Sequence, residues 1–315
     1  MLLKAWKMIK TRELTKRFGD VLAVDHLSLD VNEGEVFGLL GPNGAGKTTT
    51  VRLLTCLIAP TAGEAWVNGR KVGEENTAIR QSVGILTESP GLYERLNAQQ
   101  NLALYAKLYG VDDVAGQVRK YLGMLGLWER RTEPVGSFSK GMKQKLAIAR
   151  ALIHEPRVLF LDEPTAALDP EAAKLVRDFI LEVKGEGRTI FLCTHNLDEA
   201  DRLCDRLAVM RQHLIQVDTP ARLRQSLYGR KVVLQLQEIS QAVLSAVREL
   251  PFVHQVQKED RKLIVSMDDP EAQNPILVQH VMEAGGAVQF VTEQRHSLEE
   301  VYFTLMHEEA QETSR

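Results

Sequence analysis

The stretch GPNGAGKTT, Gly41 to Thr49, has the spacing G-x-x-x-x-G-K-[ST]. Glycines so placed let successive backbone N–H groups form a nest around phosphate oxygens, and a helix that follows adds the positive end of its dipole. Lys47 can then reach the β- and γ-phosphates, while the Thr48 hydroxyl ligates Mg²⁺. Gly41, Pro42, Asn43, Gly44, Ala45, Gly46, Lys47, Thr48 and Thr49 therefore read as a nucleotide cradle. A chance match in a chain this long is about one in a hundred. The strand-like EVFGLLG before it and the helix-like KTTTVRLLTCLI after it supply the required context.

VLFLDEP places Asp162 and Glu163 where an apolar strand ends. In an open α/β sheet that edge is where ligands bind. Asp162 is the expected holder of Mg²⁺. Glu163 is expected to orient and deprotonate the attacking water, the task phosphoryl transfer asks of one carboxylate. FLCTHNLDEA closes another such strand at His195. A solitary histidine is usually structural, but this one falls at the same sheet edge and is expected to sense the γ-phosphate and orient the base. A fourth stretch, GSFSKGMKQKLAIARAL, reads as a loop entering a helix, with Ser139 as N-cap and Gly141 in the first turn. Three lysines crowd its first two turns, although basic residues favour the opposite helix end. An anion from elsewhere is the expected partner of that tip.

Short strand-like runs alternate with helical ones, the pattern of an α/β domain with a mostly parallel sheet. RVLFLDEP and RTIFLCTH are near-continuous apolar runs, as for strands buried on both faces. GEAWVNGRKV reads as an antiparallel hairpin turning at Asn-Gly. The segment around 89–150 is helical and Leu/Tyr-rich, an inserted helical subdomain. The nucleotide domain is expected over 8–220, a linker over 221–227, an accessory domain over 228–308 and a disordered tail over 309–315. Within 228–308 the order strand, helix, two strands, helix, strand is that of a small α+β ferredoxin-like sandwich, followed by one more helix.

Composition narrows the function classes. A formal net charge of −3 gives no basic footprint for nucleic acid, so no nucleic-acid partner is expected. Cys56, Cys193 and Cys204 lack metal-ligand or disulfide spacing, which suits a reducing compartment. No apolar run is long enough to cross a bilayer, so any membrane role is expected to come through a partner. The opening MLLKAWKMIK is read as a lead-in to the first strand.

The order of GPNGAGKTT, FSKGMKQKLAIARAL, VLFLDEP, TAALDP and CTHNLDEA resembles the ATP-binding subunit of an ABC transporter over about residues 8 to 220. The resemblance implies a P-loop NTPase fold of ABC type, with an antiparallel β subdomain and a helical subdomain beside the sheet core. FSKGM corresponds to the family signature written LSGGQ. In this family the signature helix points at ATP held by the P-loop of another subunit, which implies that Ser139 and Gly141 cap a γ-phosphate in trans. The resemblance further implies that Phe18, in TKRFGD, stacks on adenine, that Asp169, in AALD, touches the partner's P-loop, and that Glu88 stands where the family's glutamine ligates Mg²⁺. Glu88 brings a full charge near the phosphates, and Lys140 and Met142 depart from the signature.

Residues 228–308, ending SLEEVYFTLM, resemble the domain appended to ATPase subunits of ABC-2 type bacterial exporters. That resemblance implies ATP and Mg²⁺ as cofactors, a second ATP-binding subunit, and a multi-spanning permease that tethers the chain to the cytoplasmic face of the membrane. The cargo classes it implies are drugs, lipids, polysaccharides or ions. Leu92, Tyr93 and Leu96 are the expected permease contacts. The competing expectation is a soluble ABC ATPase in an assembly or repair complex. One P-loop, no sustained heptads and the added C-terminal domain weigh against it.

Overall fold

The computed structural model describes residues 6–87, 91–166, 168–294 and 296–312. The chain divides into two compact units that meet in sequence at Thr219–Pro220.

The first unit is built on a six-stranded sheet. Its order is His213–Asp218, Arg206–Arg211, Val36–Leu40, Thr189–Thr194, Val158–Asp162, Val83–Leu86, and every neighbouring pair is parallel except the first. Val36–Leu40, Val158–Asp162 and Thr189–Thr194 are buried at every residue, which explains why their sequences run apolar without alternation. Phe191 stacks with Phe37 at 5.7 Å and meets Phe160 at 5.5 Å between ring centroids, so the three central strands lock through one aromatic column. All three strands end at one edge, and the chain turns there into functional loops.

A second, five-stranded antiparallel sheet gathers Lys7–Phe18, Val21–Leu27, Asp30–Asn32, Ala62–Val67 and Arg70–Lys71. Its last hairpin turns at Asn68 and Gly69, with φ of 51° and 76°, the two left-handed residues a tight hairpin turn requires. The helical insertion comprises Ala98–Leu108, Val114–Met124 and Lys140–Leu152. Asn97 opens the first of these with a complete capping box to Gln100.

The second unit contains a four-stranded antiparallel sheet in the order Val253–Glu259, Lys262–Met267, Lys231–Leu236, Val288–Glu293. Helices Gln241–Arg248 and Pro270–Glu283 bury Val243, Val247, Leu277 and Val281 in the core it shares with Val232, Leu234, Leu263 and Val265. This is the sandwich expected from the element order. Two expectations of the sequence fail at its ends. Residues 221–227, read as a linker, belong to helix Pro220–Tyr228, which buries Leu223 and pairs with helix Leu298–Glu312 through Tyr228 Oη and Thr304 Oγ1 at 2.7 Å. The tail expected from 309 continues that last helix to Glu312. Both segments are polar, and a single apolar anchor per turn of a short helix leaves no periodicity to read.

Candidate functional site

Strand Val36–Leu40 delivers the chain into the Gly41–Gly46 loop, and helix Lys47–Leu54 begins directly after it. Gly46 takes the N-cap position at φ 95°, a left-handed geometry, and its amide side faces Ala23 so closely that a Cβ there would lie 2.3 Å from the Ala23 carbonyl oxygen. No side chain caps this helix, so its first-turn N–H groups remain available to an oxyanion. Lys47 folds back over the loop: Nζ donates to the carbonyls of Gly41 at 2.6 Å and Pro42 at 3.1 Å, and the residue is nearly buried. Thr48 Oγ1 donates to Asp162 Oδ2 at 2.9 Å, which joins the loop to the end of strand Val158–Asp162, two places along the sheet.

Glu163 follows Asp162 with φ 52°, a conformation that costs a non-glycine residue about 1–3 kcal/mol. Its N–H donates to Cys193 O at 2.9 Å. The turn swings its carboxylate toward the next strand, where His195 Nδ1 lies 2.7 Å from Glu163 Oε1. Glu163 is largely shielded while the His195 ring is two-thirds exposed, so the pair has one protected and one accessible member.

Phe18, Pro42 to Thr49, Asp162, Glu163 and His195 line one cavity of about 510 Å³. The structure therefore brings together nearly all of the residues singled out from the three nucleotide stretches. Gly41 lies buried beneath the loop rather than in the lining, and acts through its carbonyl. Phe18 is 48% exposed, and Lys16 Nζ sits 4.9 Å from its ring centroid. Val21, Leu22, Ala23, Ala166 and Gln212 complete the walls. Val21 faces Phe18 across a hairpin, a pairing that the Gly-Asp turn between them announces. Gln212 carries no sequence signal; it arrives at the tip of another hairpin, with its N–H on Ala45 O at 2.9 Å.

Ser139, Gly141 and Asp169 are not in that lining. Ser139 caps helix Lys140–Leu152 by accepting the Met142 N–H at 3.3 Å, and is exposed. A Cβ on Gly141 would lie 3.6 Å from Ala172 and 3.8 Å from Leu168, so the signature tip and the Asp169 segment share one surface. Asp169 itself caps helix Pro170–Gly185 through Ala172 N–H at 2.8 Å. Gln144, which drew no attention in the sequence, is buried and donates through Nε2 to Pro164 O at 3.0 Å, tying the signature helix to the segment after Glu163. Of the three lysines, Lys143 is engaged with Glu94 at 2.6 Å, and Lys140 has no polar partner among the described residues. Glu88 lies outside the described residues.

A hydroxyl and a carboxylate held together at the phosphate end of the cavity form a hard oxygen donor pair. That set fits a small divalent cation which keeps waters and substrate oxygens as its remaining ligands. No group of three or more His, Cys, Asp or Glu side chains suited to a metal occurs among the described residues.

Residues 24–166 match the ABC transporter family. The chain is 38% identical over 295 residues to the daunorubicin resistance ATP-binding protein DrrA3 of Streptomyces coeruleorubidus, covering 92% of this chain and 93% of that protein. It is 40% identical over 214 residues to the bacitracin transport ATP-binding protein BcrA of Bacillus licheniformis, covering 68% of this chain and 70% of that one. The ATP-binding cassette MJ0796, solved as a dimer in a post-hydrolysis state bound to ADP and Pi, superposes with a TM-score of 0.63 at 25% identity, covering 67% of this chain and 98% of that one. This chain belongs to the ABC transporter family as an ATP-binding subunit, and it is an ATPase.

Proposed function

We propose that this chain powers an ABC-2 type exporter: two nucleotide domains close head-to-tail on two ATP, and closure drives a separate membrane permease. One observation carries the dimer. The helix tip lies outside the cavity that holds Lys47, Asp162 and Glu163, with Ser139 and Lys140 exposed and Gly141 half-buried, so one copy presents two unlike half-sites. The dimeric form of the MJ0796 cassette supports the pairing, and the names of the bacitracin and daunorubicin relatives support export.

In the proposed chemistry, Lys47 and the loop amides hold the phosphates, and Thr48 and Asp162 hold Mg²⁺. The bound cation would neutralise charge developing on the β- and γ-phosphate oxygens. Glu163 takes a proton from the attacking water while His195 fixes the orientation of its carboxylate. Phe18 provides the face for adenine. Ser139, Gly141 and the exposed Lys140 meet the γ-phosphate of the neighbouring copy. Asp169 meets that copy's loop.

No helix among the described residues is long and apolar enough to cross a membrane. Tyr93, Leu104 and Leu108 are exposed to 53%, 44% and 76%; Leu104 and Leu108 lie one turn apart on helix Ala98–Leu108, and the Tyr93 ring sits 6.3 Å from that of Tyr105 on the same helix, which suits this part of the insertion to a permease segment. Leu92 and Leu96 are half-buried and contribute less of that face than the sequence implied.

Light scattering tests the reading. Glu163→Gln is expected to bind ATP, lose about 10²–10⁴-fold in turnover and accumulate an ATP-dependent dimer. Adding Ser139→Arg should abolish that dimer while each monomer still binds ATP. A dimer that survives Ser139→Arg would remove the signature tip from the interface.

A further inference from the structure

Glu199, one turn into helix Leu197–Leu203, is 1% exposed, and Thr194 beside it is fully buried. Thr194 Oγ1 lies 2.8 Å from Glu199 Oε2 and 3.5 Å from Glu163 Oε2, and it accepts the Asn196 N–H at 3.0 Å. A hydroxyl has one proton and two acceptor positions. Were Glu199 ionised, the shorter contact would claim that proton, and two carboxylates would crowd one donor. With Glu199 neutral, its own O–H and the Asn196 N–H fill the two acceptor positions, and the Thr194 proton is free for Glu163.

From this geometry we propose that Thr194 and a neutral Glu199 position the Glu163 carboxylate for hydrolysis, with Glu199 O–H donating to Thr194 Oγ1 and Thr194 O–H donating to Glu163 Oε2. Glu163 is then gripped at both oxygens, by His195 on Oε1 at 2.7 Å and by Thr194 on Oε2. The proposal rests on the reading of Glu163 as the base.

The surroundings favour the neutral acid. Burial, and then the charge of Glu163, push the Glu199 pKa upward, while the Thr194 and Thr165 hydroxyls and the Arg177 guanidinium pull the other way. The Cys204 thiol also faces Glu199 and is itself kept neutral by burial. Glu199 Oε1 has no hydrogen-bond partner of good geometry among the described residues, a position an ionised oxygen would occupy at high cost. Nor is Glu199 spent on closing its helix. At the third helical position its side chain would ordinarily receive the N-cap N–H, yet that N–H, from Asn196, goes to Thr194.

The test is phosphate release by the full chain across pH, with ATP binding and thermal melting measured in parallel. Glu199→Gln keeps a donor toward Thr194 and cannot ionise. It should retain kcat within about twofold and lose the alkaline fall in kcat that ionisation of Glu199 causes in the native chain, by the linkage of charge to pH. Thr194→Val should lower kcat about tenfold, the scale of one hydrogen bond to a charged group, with KM unchanged, and Thr194→Ser should restore it. The proposal is overturned if Glu199→Gln keeps the alkaline limb or if Thr194→Val matches the native kcat. Should Thr194→Val fail to fold, the Glu199→Gln pH profile decides by itself. Glu163→Gln, assayed alongside, separates the two readings: normal turnover there removes the base, whereas an inactive Glu163→Gln with a fully active Thr194→Val removes only the positioning pair.

Discussion

The helix N-termini at Lys47 and at Ser139 are built in opposite ways. At Lys47 the tip is sunk in a cavity, the lysine is tucked against two carbonyls, and neighbouring strands supply Asp162, Glu163 and His195. At Ser139 the tip is exposed, capped by its own hydroxyl, with Lys140 pointing to no partner among the described residues. A dipole and a few N–H groups are common to both. What differs is enclosure: a walled tip can hold a ligand alone, whereas an open one requires a second surface to exclude water and raise the strength of its electrostatics.

The sharpest break of this comparison uses one glycine from each tip. Gly46→Ala forces a side chain into left-handed backbone and 2.3 Å from a carbonyl, and should cost roughly 3 kcal/mol or more in denaturant unfolding. Gly141→Ala meets only ordinary contacts at 3.6 Å and beyond, and alanine's better helix propensity should leave stability unchanged or raised by up to about 1 kcal/mol. Equal losses at the two glycines would mean that both tips are enclosed.

An intermediate effect comes from the opposite end of the signature helix. There His154 stacks on Tyr109 at 3.8 Å and its Nε2 bonds Val83 O at 3.1 Å, anchoring the helical insertion to the sheet. Burial lowers its pKa from 6.5 to about 4. Since the unfolded chain takes up the proton first, stability should be intact above pH 6.5 and fall as pH drops toward about 4, then level off. The loss is on the order of 3 kcal/mol, and His154→Phe should flatten that slope in unfolding curves measured between those limits.

The smallest effect concerns Asp169. Its carboxylate caps helix Pro170–Gly185, so Asp169→Ala should cost about 1 kcal/mol of stability, while Asp169→Asn preserves the cap. Turnover measured in the asparagine variant then isolates any contact of the charge beyond its own helix. Native turnover there would leave Asp169 with a capping role alone.

Much of the site was legible because its parts are local. The cradle is a continuous run from Gly41 to Thr49, and Asp162, Glu163 and His195 each end a strand whose unbroken apolar character reads directly as burial on both faces. The hairpin at Asn68-Gly69 was legible for the same reason, since turn chemistry is a property of two adjacent residues. Gln144, Thr194, Glu199 and Gln212 escaped notice. Gln144, Thr194 and Gln212 meet Pro164, Glu163 and Ala45 from far along the chain, whereas Glu199 lies five residues from Thr194 and nothing in that short stretch marks their contact. The helix over Pro220–Tyr228 escaped for an energetic reason: its order comes from packing on the final helix rather than from its own propensity.

By itself, then, the order of residues determined the glycine-rich turn that opens helix Lys47–Leu54 and which strand ends carry acid and imidazole, because turn types and buried strands are set by short-range sterics and apolar pattern. Only the tertiary structure decided that Ser139 and Lys47 stand apart, that Glu163 is turned into left-handed backbone to meet His195, and that a buried carboxyl lies within reach of the same hydroxyl. Those are distances between segments remote in sequence, and they follow from how sheet and helices pack rather than from any one stretch of chain.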